Sequence, residues 1–131
     1  MRESRAMTLT FHLPKPPDNA NGRKHWAVAL KEKKRLWQEL DARRYARMFP
    51  LPPLVAPEMV ELAITWRAPR SQHWPDPDNA IRRMKPVVDW LVSHGYLAGD
   101  TAEHVRWVQP KYEKHDAKHA ASPVMLTLTA A

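Results

Sequence analysis

The stretch WPDPDNAIRRMKPVVDWLVSHGYLAGD, residues 74–100, decides the fold that we predict for this chain. Asp78 and Asn79 are both preferred at the N-cap of a helix, and apolar residues follow them at helical spacing. The sequence therefore predicts a helix that starts at Asp78 or Asn79 and runs to about His94. Gly95 is well placed to end it, because glycine adopts the left-handed conformation of a helix C-terminus without steric cost.

The segments on either side of this helix predict one further helix and four strands. Alternation of apolar and polar residues indicates strands at 8–13, 58–67, 104–113 and 123–129. A run without Gly or Pro, from Trp26 to about Met48, indicates a long amphipathic helix whose apolar positions include Leu30, Leu36, Trp37 and Leu40. Proline-rich segments at 14–25 and 50–57 separate these elements.

The element order predicts the fold class. The order β-α-β-α-β-β is typical of a small α/β (α+β) domain, in which two main helices pack against a mixed β-sheet. Two prolines should disturb this plan. Pro86 predicts a kink in the second helix because it removes the hydrogen bond to the Arg82 carbonyl, and Pro110 marks an edge or bulge in the strand at 104–113.

Length and composition predict one soluble domain over residues 1–131, with residues 1–7 as a flexible N-terminus. The hydrophobic content of 44% is ordinary for a globular protein, and there is no cysteine for a disulfide or a thiolate zinc site. We find no signal peptide and no stretch that could span a bilayer, which indicates a cytoplasmic protein without a membrane partner. The chain has only three glycines and no glycine-rich phosphate loop, so no nucleotide cofactor is expected.

The charge of the chain points to a polyanionic partner. Lys and Arg number 21 against 14 Asp and Glu, which gives a net charge of +7. A positive field of this size on a small domain attracts nucleic acid, although a basic surface can also serve only solubility.

Asp76, Asp78 and Asp100 are the candidate metal ligands. Asp76 and Asp78 are two residues apart, and in an extended segment such residues point the same way. Asp100 follows the predicted helix, which returns the chain towards the same end of the sheet. Three carboxylates would make a hard oxygen site suited to Mg²⁺, with Mn²⁺ as a substitute. The alternative is structural, since Asp and Asn are also the residues that turns and helix caps prefer.

These residues also belong to a longer motif that resembles the RusA family of Holliday-junction resolvases. The motif is D-P-D-N-x₅-K-x₃-D-x-L-x₃-G-x-L-x₂-D, formed by Asp76, Asp78, Asn79, Lys85, Asp89, Leu91, Gly95, Leu97 and Asp100. A second piece, L-P-x-P-P-x-N at 13–19, follows the first strand as it does in the family. The sequence departs from the best-known form of the family in two ways. The interval from the aspartate pair to the lysine is about one helical turn longer, and the loop before Asp76 lacks a dense arginine run.

The resemblance implies a homodimeric, Mg²⁺-dependent endodeoxyribonuclease that resolves four-way DNA junctions by paired symmetric nicks. It assigns the metal to Asp76, Asp78 and Asp100, adds Lys85 as a catalytic residue, and implies a bacterial, prophage or phage-encoded protein of DNA recombination and repair. Lys85 lies two helical turns after Asp78, from where its side chain could reach back to a phosphate, orient water or stabilise transition-state charge. The alternative to a catalytic role is that Lys85 is an ordinary solvent-exposed lysine of the helix.

DNA contacts are predicted close to the acidic residues and in the proline-rich turn. The residues chosen are Arg82, Arg83, Arg70, Arg23, Lys24 and Asn19. Basic residues of the long helix, Arg43 among them, could neutralise further phosphates, or could form a solvated face with i,i+4 ion pairs. Two other functions stay open at this point: a non-catalytic DNA-binding protein, and a branched-DNA nuclease of broader structural specificity.

Overall fold

The structure is a computed structural model that describes residues 7–17, 26–68, 74–114 and 122–130. The elements are β1 (Met7–Leu13), α1 (Trp26–Tyr45), β2 (Val60–Arg67), α2 (Pro77–Arg83), α3 (Lys85–Ser93), β3 (Val105–Trp107), β4 (Lys111–Glu113) and β5 (Val124–Ala130). This confirms the predicted mixed α+β class. The predicted flexible N-terminus falls, except for Met7, outside the described residues, and Met7 itself begins β1.

The strands form a single mixed sheet in the order β1-β5-β2-β3, and β4 also pairs with β2. β5 runs antiparallel to both β1 and β2, whereas β3 and β4 run parallel to β2 along its other edge. The predicted strand at 104–113 is therefore two short strands. Proline has no N–H to donate to a ladder, and Pro110 lies in the segment that separates them.

One face of the sheet forms the core. Along β2 every second side chain is buried, and the register with β5 sets Leu62 opposite Leu128 and Ile64 opposite Leu126. This is the period-two pattern of a half-buried strand. Apolar side chains of all three helices join the same core cluster, which makes the molecule a sheet with helices packed on one side.

Helix α1 is shorter than predicted and more exposed at its start. It ends at Tyr45, and Arg47 takes a left-handed conformation with φ of 61° just beyond it. Leu36 and Leu40 are buried as expected, but the prediction for Leu30 is wrong, because that side chain is 45% exposed. In the described part of the chain, α1 included, no helix combines the length and apolarity that crossing a membrane requires.

The second predicted helix is broken into two. Its N-cap is Asp76, two residues before the earliest predicted start, and Pro77 occupies the first turn. The break falls at Met84, and Pro86 lies in the first turn of α3, where its missing N–H costs nothing. The proline thus produces a sharper interruption than the predicted kink. Gly95 has φ of +83° directly after α3, as the sequence predicted.

Two tryptophans join α1 to α3. The indole N–H of Trp37 donates to the Pro86 carbonyl at 2.9 Å, and that of Trp90 donates to the Asp41 carboxylate at 2.8 Å. Buried indoles commonly need such a partner. The two bonds hold the start and the middle of α3 against α1, so the first residue of α3, Lys85, projects from a fixed position.

Arg43 is part of the structure and not of a DNA-binding face, which corrects the prediction. Its side chain is buried and donates to the His12 carbonyl at 2.7 Å, to Ser122 Oγ at 2.9 Å and to Glu39 at 3.2 Å. These bonds tie α1 to the end of β1 and to the segment before β5.

Candidate active site at the carboxyl end of β2

The candidate residues begin where β2 ends. β4 is parallel to β2 and pairs with its last three residues, with Tyr112 opposite Trp66. The carboxyl ends of the two strands therefore meet at one edge of the sheet, which is where ligands bind in many α/β proteins. The chain returns from β2 to this region through Trp74 and enters α2 at Asp76.

Asp76 and Asp78 are accessible carboxylates on either side of Pro77. Asp76 caps α2, because its Oδ1 accepts the N–H of Asn79 at 2.8 Å. Asp78 lies in the first turn of the same helix, and both residues are exposed. Among residues 7–17, 26–68, 74–114 and 122–130, neither carboxylate has an ion-pair partner. Asp76 can therefore cap the helix through Oδ1 and still be accessible to a ligand.

Lys85 stands between two other carboxylates. Its amino group donates a hydrogen bond to Asp100 and forms an ion pair of 3.1 Å with Asp89. The hydrogen bond to Asp100, followed by that to Asp89, raises the pKa of Lys85, and the same bond from Lys85 lowers the pKa of Asp100. Lys85 is thus an ammonium ion at neutral pH. Lys33 reaches the other oxygen of Asp89 at 3.5 Å.

The predicted convergence of three carboxylates is not formed. In the described part of the chain, no group of three or more His, Asp or Glu side chains is arranged to hold a metal ion. Asp100 instead accepts a hydrogen bond from Lys85. Lys85 is the first residue of α3, and the break at Met84 separates it from α2, where the aspartate pair lies. Asp76 and Asp78 fit a divalent cation in their chemistry, as exposed oxygen donors that have no basic partner among the described residues, whereas Asp100 would first have to leave Lys85.

Tyr112 packs against Trp74, two residues before Asp76, and the sequence did not single it out. Its ring stacks on Trp74, with centroids 5.4 Å apart and an angle of 23° between the planes. Burial raises the pKa of Tyr112, and the charge of Asp76 raises it further. Nothing in the sequence pairs residues 74 and 112. The only sequence signal for Tyr112 was the predicted strand that contains it, which could pair with the end of β2.

The two neighbouring arginines of α2 differ, and one of them corrects the prediction. Arg82 is exposed beside the site, as a DNA contact requires. Arg83 is buried, donates to the Pro16 carbonyl at 2.7 Å and lies 4.8 Å over the Trp66 ring. A guanidinium engaged in this way is not presented to a phosphate. The other predicted DNA contacts, Arg70, Arg23, Lys24 and Asn19, lie outside the described residues.

This difference predicts opposite phenotypes for two adjacent substitutions. Arg83→Ala should lower the free energy of unfolding by about 2–3 kcal/mol, because a charge-assisted hydrogen bond and the packing on Trp66 are lost. Arg82→Ala should leave it within about 0.5 kcal/mol of the wild type, as is usual for surface changes, while weakening binding to DNA. Urea unfolding and fluorescence anisotropy with a labelled DNA measure the two effects. Equal destabilisation by both changes would contradict this assignment.

Comparisons with protein-family models and with curated proteins give no match. The features of the chain that bear on function are the accessible aspartate pair, the lysine held between two carboxylates, and the stacked pair of Trp74 and Tyr112.

Proposed function

We propose that this chain is a Mg²⁺-dependent endodeoxyribonuclease that acts on branched DNA, and specifically that it resolves Holliday junctions as the RusA family does. The observation that carries the proposal is the aspartate pair. Asp76 and Asp78 lie two residues apart, are exposed, and have no basic partner within the described residues of a chain with net charge +7.

The proposed chemistry assigns different roles to the carboxylates and to the lysine. Two neighbouring carboxylates repel each other, and a divalent cation relieves that repulsion. When bound, Mg²⁺ supplies Lewis-acid activation of water and neutralises charge at the scissile phosphate. Lys85 is an ammonium ion, because its pKa is raised, so it is suited to stabilising negative charge on the phosphate and not to removing a proton.

The pairing of Lys85 with Asp100 suggests how the third carboxylate enters the site. Both partners are largely accessible, with side chains 59% and 38% exposed, so their ion pair can exchange with other charged groups. A DNA phosphate competes for the ammonium group of Lys85. We propose that this exchange would free Asp100 to act as the third carboxylate for a cation held by Asp76 and Asp78. Asp89 remains as a partner that holds the amino group of Lys85.

The proposed partners are DNA and a second copy of the chain. Exposed basic residues on and after α1 supply charge for phosphates, namely Lys31, Lys34, Arg35, Arg44 and Arg47. Leu51, Leu54 and Val55 are more than four-fifths exposed, and such apolar side chains mark surfaces that another protein covers. Two symmetric cuts across a roughly two-fold junction call for two related active sites, which a homodimer provides.

A non-catalytic DNA-binding protein is the second candidate, and two observations favour it. Asp76 already has a structural role as the N-cap of α2, and Lys85 is already paired with Asp100 and Asp89. In that case the aspartates would cap and turn the chain, and the basic surface alone would bind DNA.

Cleavage of a labelled synthetic four-way junction separates these functions. With Mg²⁺ we expect paired nicks at symmetric positions in opposing strands, and no cleavage when EDTA is present. The matched substrates are a linear duplex, a flap and a fork of the same sequence. Cleavage of all branched substrates alike would indicate the broader nuclease. Binding to the junction with no cleavage under Mg²⁺ or Mn²⁺ would reject the nuclease and leave the binding protein.

A further inference from the structure

Two helices of this chain end in the same backbone motif, but a glycine occupies its left-handed position in one and an arginine in the other. Gly95 follows α3, and Arg47 follows α1. In both places the left-handed residue donates its N–H to the carbonyl three residues back, at 3.2 Å for Gly95 and 3.0 Å for Arg47. The next N–H donates five residues back, at 2.9 Å in each case. The two helix ends are thus equivalent in hydrogen bonding, and glycine is the residue that usually occupies this position.

Arg47 holds this conformation at a steric cost that Gly95 does not have. Its φ is 61°, and within the described residues it is the only non-glycine with a positive φ. In this region the Cβ atom of an L-residue lies too close to the following carbonyl oxygen. The side chain is exposed and makes no ion pair with the rest of the described chain, so no such contact offsets the cost. Strained positions of this kind cluster at active sites and ligand clamps.

Arg47 lines an open cleft at the carboxyl end of α1, with a volume of about 500 Å³. The lining includes the rings of Phe49 and Tyr96, both of which are buried. The Tyr96 hydroxyl already donates to the Pro50 carbonyl at 2.6 Å, so these two rings present apolar surface to the cleft. Tyr45 lines the same cleft and is 93% exposed, so its ring adds almost nothing to the core.

The charge in this cleft is of one sign. Arg44 and Arg47 line it, and among the described residues no acidic side chain does. Asp41, the last acidic residue of α1, is turned to α3, where it accepts the Trp90 indole N–H at 2.8 Å and pairs with His94 at 3.3 Å. The cleft therefore offers two guanidinium groups, and no competing carboxylate, to an anionic ligand.

A nucleotide matches both the charge and the shape of the cleft. Guanidinium groups bind phosphate oxygens through paired hydrogen bonds. An exposed aromatic ring such as that of Tyr45 is a platform on which an unpaired base stacks. A base within a duplex already stacks on its neighbours, so the ligand that uses Tyr45 as well as the arginines is single-stranded.

We infer that this cleft binds one unpaired nucleotide of DNA, with its phosphate between Arg44 and Arg47 and its base stacked on Tyr45. The inference rests on the proposed function in so far as the polyanion is DNA, but it requires neither a cation nor cleavage. Tyr96, in the lining, follows the carboxyl end of α3, whereas Lys85 is the first residue of that helix, roughly 14 Å of helix away. The cleft is therefore a second DNA contact, separate from the phosphate proposed for Lys85.

The inference predicts effects of opposite sign for Arg47→Gly. The melting temperature should rise by a few degrees, because glycine takes the left-handed conformation without strain. The dissociation constant for a labelled single-stranded oligothymidylate should rise by about 10-fold, because a charge-assisted hydrogen bond to phosphate is lost. The slope of log affinity against log salt concentration should become shallower by about 0.7, the value for one phosphate contact on a single strand. Differential scanning calorimetry and fluorescence anisotropy measure these quantities.

Two further variants and one control identify the side chains responsible. Arg47→Asn also removes the charge, and asparagine tolerates the left-handed conformation, so this variant should behave as Arg47→Gly does. Tyr45→Ala should weaken oligothymidylate binding by about 10-fold and leave binding to a linear duplex unchanged, because only the unpaired base stacks. Arg106→Gln is the matched control for net charge. Arg106 is 72% exposed and already pairs with Glu61 at 2.6 Å, so its loss should change neither affinity by more than about 2-fold.

The outcomes separate the cleft from the function on which it rests. If the wild type binds oligothymidylate but both Arg47 variants bind as Arg106→Gln does, the cleft is rejected and DNA binding elsewhere on the chain stands. A wild type that binds neither single-stranded nor branched DNA would overturn the proposed function, and the cleft with it. If both Arg47 variants melt at a lower temperature than the wild type, the arginine is structural and the inference is wrong. A change of oligomeric state in these variants, measured by light scattering, would assign the cleft to a protein interface and also reject it.

Discussion

Asp78→Asn is expected to abolish cleavage of a four-way junction while the protein stays folded and bound to the DNA. Asp78 has no partner within the described residues, so the change breaks no contact there. It removes one of two anionic ligands of the proposed cation, and we expect the cleavage rate at saturating protein to fall by on the order of 1000-fold. Single-turnover assays on the junction measure this rate.

Binding and stability should respond in a different way. Loss of a negative charge beside the phosphates should leave junction affinity unchanged or increase it. Asp78 lies in the first turn of α2, where its charge stabilises the helix by only about 0.3–1 kcal/mol. Glu103→Gln is the control for the charge change, because Glu103 is an exposed acid outside the aspartate pair, and it should retain full cleavage. Persistence of near wild-type cleavage in Asp78→Asn would show that the metal assignment is wrong.

Local sequence signals predicted the elements well where one residue type dictates the backbone. Gly95 ends α3 with a positive φ, and Pro110 interrupts the strand pairing along β2, both as expected. Pro86 was placed correctly as a disturbance of the helix, but its effect was underestimated. A second proline, Pro77, starts a separate short helix before it, and the two helices meet at Met84.

Tertiary packing decided what the sequence left ambiguous. Arg82 and Arg83 are adjacent and look alike in the sequence, yet successive residues of a helix point about 100° apart, since a turn takes about 3.6 residues. Arg83 is the one that lies over Trp66 and reaches the Pro16 carbonyl, and these tertiary contacts bury it. Arg43 was misjudged for the same reason, because its acceptors lie on β1 and before β5.

The sequence predicted which residues belong to the candidate site, but not which of them contact each other. Asp76 and Asp78 are neighbours in sequence, and their exposure at a helix start follows from local geometry. The contact between Lys85 and Asp100 depends on how the chain returns after α3, which spacing alone does not fix. Tyr112 was missed because it reaches Trp74 through the parallel pairing of β4 with β2, and parallel pairing leaves no local signal in the sequence.

Lys85→Ala should lose most of the cleavage activity through a mechanism different from that of Asp78→Asn. The lysine side chain is 59% exposed and Asp100 is an exposed partner, so solvent screens these ion pairs and they contribute little to the stability of the fold. Removal of an ammonium group that stabilises charge on the phosphate should slow single-turnover cleavage by about 100-fold to 1000-fold. Thermal unfolding should remain close to that of the wild type.

Cation binding is what separates the two variants. Asp78→Asn should lose Mn²⁺ affinity, whereas Lys85→Ala should keep it, because the ion-pair partners of Lys85 are Asp89 and Asp100 and not the aspartate pair. Lys33→Ala is the matched control, since it removes the other lysine that contacts Asp89 and should retain most cleavage at saturating protein. If Lys85→Ala instead unfolds the protein, the structural role of the lysine is the correct one. If it cleaves the junction as fast as the wild type, Lys85 is a solvated helix lysine, and the exchange proposed for Asp100 has no basis.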